Sequence, residues 1–154
     1  MNDEETGRGR TLFVVDDDPA IRRALARLAR AVGYGAETFG SAEEFLADPP
    51  PMDRQPGCIL LDVSLPGLSG PQLHHQIRHK GWDVPVIYVT AHDDEMTRNA
   101  IADTDAAATF AKPIEVAALL DMIGVLFERL DCSSEKVRSE SAGVGLDLDG
   151  ETQQ

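Results

Sequence analysis

Residues 12–25 read LFVVDDDPAIRRAL, and within that short stretch the chain passes from one kind of order to another. LFVV is brief, continuous and apolar, the pattern of a strand buried on both faces. Asp18-Pro19 then supplies an N-cap followed by proline at the first helical position. Ile21, Leu25, Leu28 and Val32 continue at helical spacing, and Gly33 and Gly35 close the helix. A buried strand runs straight into a capped, amphipathic helix.

Downstream the same alternation repeats. Ala36–Phe39 is a short strand, and Ser41 caps a helix through Leu46 with Glu44 at the capping-box position. A proline-rich turn, DPPPMDRQPG, leads to a strand at Cys58–Leu61, and the loop from Asp62 to Gly70 feeds a helix to about Lys80. Val84–Val89 is the fourth strand, with a polar helix near Asp94–Ala102. Ala107–Ala111, mostly alanine, is the fifth. The last helix, Glu115–Leu130, puts Val116, Leu119, Leu120, Ile123, Phe127 and Leu130 on one face. Strands alternating with helices predict an α/β domain, a doubly wound parallel sheet of five strands in the order 2-1-3-4-5. The folded domain spans 11–130. Residues 1–10 read as a mobile arm, and 131–154, rich in Ser, Glu, Gly and Asp, as a disordered acidic tail.

A chain of 154 residues holds one ordinary domain, and 42% apolar with 27% charged residues is a globular composition. The net charge of −13 argues against nucleic-acid binding and favours cationic ligands. No apolar run is long enough to span a bilayer, and the polar start has no signal region. Cys58 and Cys132 lack metal or redox spacing and fit a reducing cytoplasm.

The chemistry collects at the predicted strand ends. Asp16, Asp17 and Asp18 follow the first strand, Asp62 the third, Thr90 the fourth and Lys112-Pro113 the fifth. In an open α/β sheet ligands bind outside those carboxyl ends, where strand order reverses. Crowded carboxylates repel, and a hard divalent cation such as Mg²⁺ relieves them. A carboxylate is also a phosphoryl nucleophile, and Lys112 and Thr90 supply charge and a hydrogen bond for the arriving oxygens. Each residue alone has a plainer reading: the Asp triplet as helix capping, Lys112 as a surface charge, Thr90 as a strand-end hydroxyl. Convergence from four segments favours the site. His75 and His79, a turn apart beside His74, Gln76 and Arg78, read as a solvated face, Cys58 as buried packing, and Trp82 as a cover on the preceding helix. Arg23, Arg27 and Arg30 form a basic stripe on the first helix, joined by Arg22. It reads either as solvated surface or as a docking stripe.

VVDDDPAIRRAL, LLDVSLPGLSG, VIYVTAH and FAKP, in this order and spacing, resemble the response-regulator receiver family, which includes the chemotaxis regulator. GYGAETFGSAEEFL is similar to the nitrogen-fixation regulators within it. The resemblance covers roughly 11–130 and implies a flavodoxin-like (βα)5 fold. It implies Asp62 as phosphoacceptor in a two-component system. Mg²⁺ or Mn²⁺ would be held by Asp17, Asp62 and the Ser64 backbone carbonyl, with Asp16 acting through water. Thr90 and Lys112 would bind the phosphoryl group and switch the domain, and Ser64 and His92 would tune dephosphorylation. The Lys112–Pro113 bond would be cis. The implied partners are a histidine kinase or phosphotransfer protein, docking at the Arg23, Arg27 and Arg30 helix, and a downstream target or output domain. No membrane or direct nucleic-acid contact is implied, and the state is a monomer or a phosphorylation-dependent dimer.

This sequence departs from the family at Thr109, where an aromatic is usual, at Asp105, where glycine is usual, and at Ile114 after Lys-Pro. The nearest rival is a haloacid-dehalogenase-like phosphatase, whose Asp-x-Asp pattern Asp16 and Asp18 superficially meet. A non-phosphorylated pseudo-receiver is a third possibility, which the complete site argues against.

Overall fold

The computed structural model describes residues 9–51 and 57–147, with side chains as far as Asp131. Most of the expected N-terminal arm (1–8), the middle of the proline-rich turn (52–56) and the chain end (148–154) lie outside the described residues. The strands are β1 (Thr11–Val15), β2 (Gly35–Phe39), β3 (Gly57–Asp62), β4 (Val86–Thr90) and β5 (Ala108–Ala111). The helices are α1 (Pro19–Ala31), α2 (Ala42–Ala47), α3 (Gly70–His79), α4 (Glu95–Ala102) and α5 (Val116–Asp147). All strand pairs are parallel, and the order is β2-β1-β3-β4-β5, as the alternation predicts.

Strand parity divides the core. Phe13, Val15, Ile59, Leu61 and Tyr88 pack with Phe45 of α2 and Leu73 and Ile77 of α3 on one face. Leu12, Val14, Cys58, Leu60 and Ile87 pack with Leu25 and Ala29 of α1 and with Leu119, Ile123 and Phe127 of α5 on the other. Every residue of β3 and β4 is buried, which explains why those strands read as continuous apolar runs. Cys58 is fully buried, and burial pushes its thiol up to about 12, so it is packing, as expected.

Several expectations are corrected. Val32 and Val116 are both 44% exposed, off the buried faces assigned to them. Val32 is the C-cap of α1, outside helical geometry, so the 3.6-residue period no longer governs it. Val116 opens α5 ahead of the first buried residue, Leu119, and Leu126 joins that stripe instead. Ser41 caps α2 by accepting from the Glu44 N–H, but the Glu44 carboxylate accepts from Gly40, one residue before the cap. The last helix does not stop at Leu130. The backbone continues helical to Asp147, through much of the stretch expected to be disordered. The apolar face ends at Leu130, but no glycine or proline occurs from 131 to 142 to stop the helix there, and it runs on through Gly143 and Gly145.

Candidate functional site

The site is built on the carboxyl ends of β1, β3, β4 and β5. β1 and β3 are neighbours on either side of the point where strand order reverses, so Asp16 and Asp62 emerge side by side. One carboxylate oxygen each from Asp16, Asp17 and Asp62 lies within 4.8 Å of the others. Asp16 and Asp62 are buried and Asp17 is exposed. Among the described residues this is the one such cluster of metal-ligating side chains, and His75 and His79 stack on each other without a third ligand. Three hard oxygen donors suit Mg²⁺ or Mn²⁺.

Lys112 reaches in from the end of β5. Its Nζ donates to Asp16 Oδ2 at 3.0 Å and lies 3.5 Å from Asp62 Oδ2. Its own N–H donates to the Thr90 carbonyl, and the Lys112–Pro113 bond is cis. Burial works to lower the Lys112 pKa, but the hydrogen bond to Asp16 and the charges of Asp62 and Asp16 outweigh it, and the net shift is upward. The Asp62 carboxyl is pushed up, first by burial and further by the Asp16 charge. The Ser64 N–H, donating to Asp62 Oδ1 at 3.1 Å, and Lys112 oppose the rise without cancelling it.

The loop after β3 is shaped by two glycines. A Cβ at Gly70 would collide with the Asp62 carbonyl oxygen, so α3 starts hard against the strand end. Gly67 takes φ +75°, and Glu43 of α2 ties this loop down by accepting from the Leu68 N–H at 2.8 Å. Ser64 is exposed at its rim. Thr90, 6% exposed, donates its hydroxyl to the His92 carbonyl and accepts from the His92 N–H, while His92 itself is exposed. Asp18 caps α1 by accepting from Ala20, as expected.

Arg23, Arg27 and Arg30 are exposed along α1 and line a shallow groove of about 530 Å³ with Arg22 and Thr38. Arg30 also donates to the Ala36 carbonyl. A second groove, about 710 Å³, lies between α3 and α4, away from Asp16, Asp17 and Asp62.

On the wall of that second groove lies what the sequence reading missed. His74, grouped there with a solvated face, is 2% exposed. Its ring meets the Tyr88 hydroxyl at 2.8 Å and Asp105 at 2.7 Å, and Arg78 grips the same Asp105 carboxylate. Gly70, Leu73, His74 and Ile77 are the buried residues of α3, at i, i+3, i+4 and i+7.

An open, doubly wound sheet with clustered carboxylates and a lysine at its switch point defines the class. Residues 12–124 match the family model for the response regulator receiver domain. The chain is 38% identical over 119 residues to nodulation protein W of Bradyrhizobium diazoefficiens, covering 77% of this chain and 51% of that protein. Response regulator protein TodT of Pseudomonas putida is 33% identical over 117 residues, covering 75% and 50%. The transcriptional regulatory protein FixJ of Azorhizobium caulinodans is 34% identical over 131 residues, covering 85% and 60%. Among solved structures, the response regulator StyR superposes with a TM-score of 0.72 at 32% identity, covering 94% of this chain and 71% of that one. The FixJ-N structure gives 0.67 at 26%, covering 77% and 94%. The chain belongs to the response-regulator receiver family of two-component signalling. It spans about half the length of the curated relatives it matches. Among the described residues no helix is long and apolar enough to cross a membrane.

Proposed function

We propose that Asp62 accepts a phosphoryl group from a phosphohistidine, in a reaction that needs Mg²⁺ or Mn²⁺. The observation that carries this is the convergence of Asp16, Asp17, Asp62 and Lys112 on one strand-end rim. In the proposed step an Asp62 oxygen bonds to phosphorus as the phosphorus–nitrogen bond breaks, and the electron pair leaves with the imidazole. Asp17, Asp62 and the Ser64 carbonyl would hold the cation, with Asp16 behind a water. The bound ion supplies charge neutralisation at the phosphoryl oxygens. Lys112 already spans Asp16 and Asp62 and adds a second positive charge there. Thr90 must give up its bond to the His92 carbonyl to donate to a phosphoryl oxygen, which is the local switching event. Ser64 and His92, exposed on either flank, govern the approach of hydrolytic water.

The domain so defined is residues 11–130. It works in the cytoplasm as a signalling phosphoacceptor rather than a turnover enzyme. Its phosphate source is a histidine kinase or phosphotransfer protein docking along Arg23, Arg27 and Arg30, and its output is a changed protein contact. The test is incubation with a small phosphodonor and Mg²⁺, followed by intact-mass measurement. A gain of one phosphoryl group is expected in the wild type. Labelling of Asp62→Asn to the same extent, or full labelling in excess chelator, would contradict the proposal.

A further inference from the structure

Arg22 stands one turn into α1, and its Nη1 donates to the backbone carbonyl of Asp16 at 2.7 Å. That carbonyl belongs to the planar peptide joining Asp16 to Asp17, so holding it constrains the direction from which both side chains leave the backbone. The rest of Asp16 is equally tied. Its N–H donates to the Phe39 carbonyl, Oδ1 accepts from the Asp18 N–H at 2.9 Å, and Oδ2 accepts from Lys112. The neighbouring β2–α2 turn makes room for the guanidinium. A Cβ at Gly40 would stand only 3.3 Å from Arg22 Nη1 and 3.3 Å from Glu44 Oε1, and Glu44 in turn accepts from the Gly40 N–H. Arg22 thus sits between two loops, with a contact that Arg23, Arg27 and Arg30 do not share.

We infer that Arg22 is a positioning residue for the cation: it locks the Asp16–Asp17 peptide so that both carboxylates present oxygens to the sphere shared with Asp62. This role rests on the metal site proposed above. It is geometric, since the groups that shift the Asp62 carboxyl are burial, Ser64, Asp16 and Lys112. Removing the hold lets the peptide rotate and scatters the ligand oxygens. Outer-shell contacts of this kind typically change metal affinity 10–100-fold, and a hold on backbone belongs near the low end, about tenfold.

The experiment is Mn²⁺ titration of the unphosphorylated chain by water-proton relaxation, on wild type, Arg22→Met, which keeps the aliphatic stem, and Arg22→Lys, which keeps the charge. Both variants are expected to bind Mn²⁺ about tenfold more weakly. The Mg²⁺ concentration that half-saturates labelling by a small phosphodonor should rise in step, while the rate at saturating Mg²⁺ stays at the wild-type level. Gly40→Ala, which presses on the guanidinium without deleting it, should move affinity in the same direction by less, and metal-free melting curves confirm that each variant folds. Unchanged Mn²⁺ affinity in folded variants would overturn the role. So would wild-type affinity in Arg22→Lys alone, which would make it a matter of charge, or a reduced plateau rate at unchanged half-saturation. Absence of Mn²⁺ binding in the wild type would instead overturn the metal site on which the role depends.

Discussion

Asp62 is an ionisable group kept at a cost. It is 5% exposed and beside Asp16, and burial with that like charge raises its carboxyl pKa above the ordinary carboxylate value. A group whose folded pKa lies above its unfolded one favours the fold fully only below the unfolded pKa, and that contribution is lost as pH rises through the folded one. At neutral pH, without metal, ionised Asp62 therefore weighs against the fold. Asp62→Asn is predicted to raise the melting temperature at pH 7 in chelator, with the gain shrinking as pH falls toward 4. Melting curves across that range check it, and a destabilised Asp62→Asn at pH 7 would contradict it. Lys112 offsets part of the crowding, so Lys112→Met should lower the melting temperature under the same conditions.

α3 and the turn that follows α4 meet through a polar cluster. No residue of α4 is buried, and just beyond its end Asp105 pairs with His74 and Arg78 of α3. His74 in turn holds the hydroxyl of Tyr88, on the buried strand that ends in Thr90. His74→Leu would take one partner from the buried Tyr88 hydroxyl, which keeps its side-chain hydrogen bond with Thr104, a cost of about 0.5–1.5 kcal/mol. Adding Tyr88→Phe should recover much of that loss, and a double-mutant cycle by denaturant melts measures the coupling. Additive effects would mean the contact carries no energy.

The pH dependence has a definite sign. Burial, and then the Arg78 charge, lower the His74 pKa against the opposing pull of Asp105. Stability from neutral His74 is thus full above the unfolded value of about 6.5 and is lost as pH falls through it toward the lowered folded value. His74→Leu should flatten that part of the melting curve between pH 8 and 5. The elements themselves were legible because LFVV, CILL and VIYV are unbroken apolar runs and because Asp18 and Ser41 cap α1 and α2. The burial of His74 was not legible, because a polar side chain leaves no mark on the apolar Leu73–Ile77 stripe that it joins. The extension of α5 past Leu130 was illegible because no apolar period marks it. The carboxylates were legible because Asp16 and Asp17 come just after β1 and Asp62 ends β3, whereas the Arg22 bond to the Asp16 carbonyl, though only six residues long in sequence, depends on where a long side chain turns.

An acidic molecule of net charge −13 that carries arginines along one helix has a directional field, and association with an acidic partner surface gains from it. Reversing Arg23, Arg27 and Arg30 to Glu is predicted to cut transfer from the cognate phosphohistidine protein at least tenfold at low salt, within the range steering supplies. Labelling by a small phosphodonor should hardly change. Equal loss with both donors would place the damage in the fold or the site. The central claim, that this receiver domain is phosphorylated on Asp62, is tested most directly by locating the group. Borohydride reduces an aspartyl phosphate to homoserine, so labelled protein can be reduced, digested and sequenced by mass. The account predicts homoserine at position 62, dependent on Mg²⁺ and lost in Asp62→Asn. Homoserine at position 16, the nucleophile of the phosphatase alternative, or none in a fully folded protein, would contradict it.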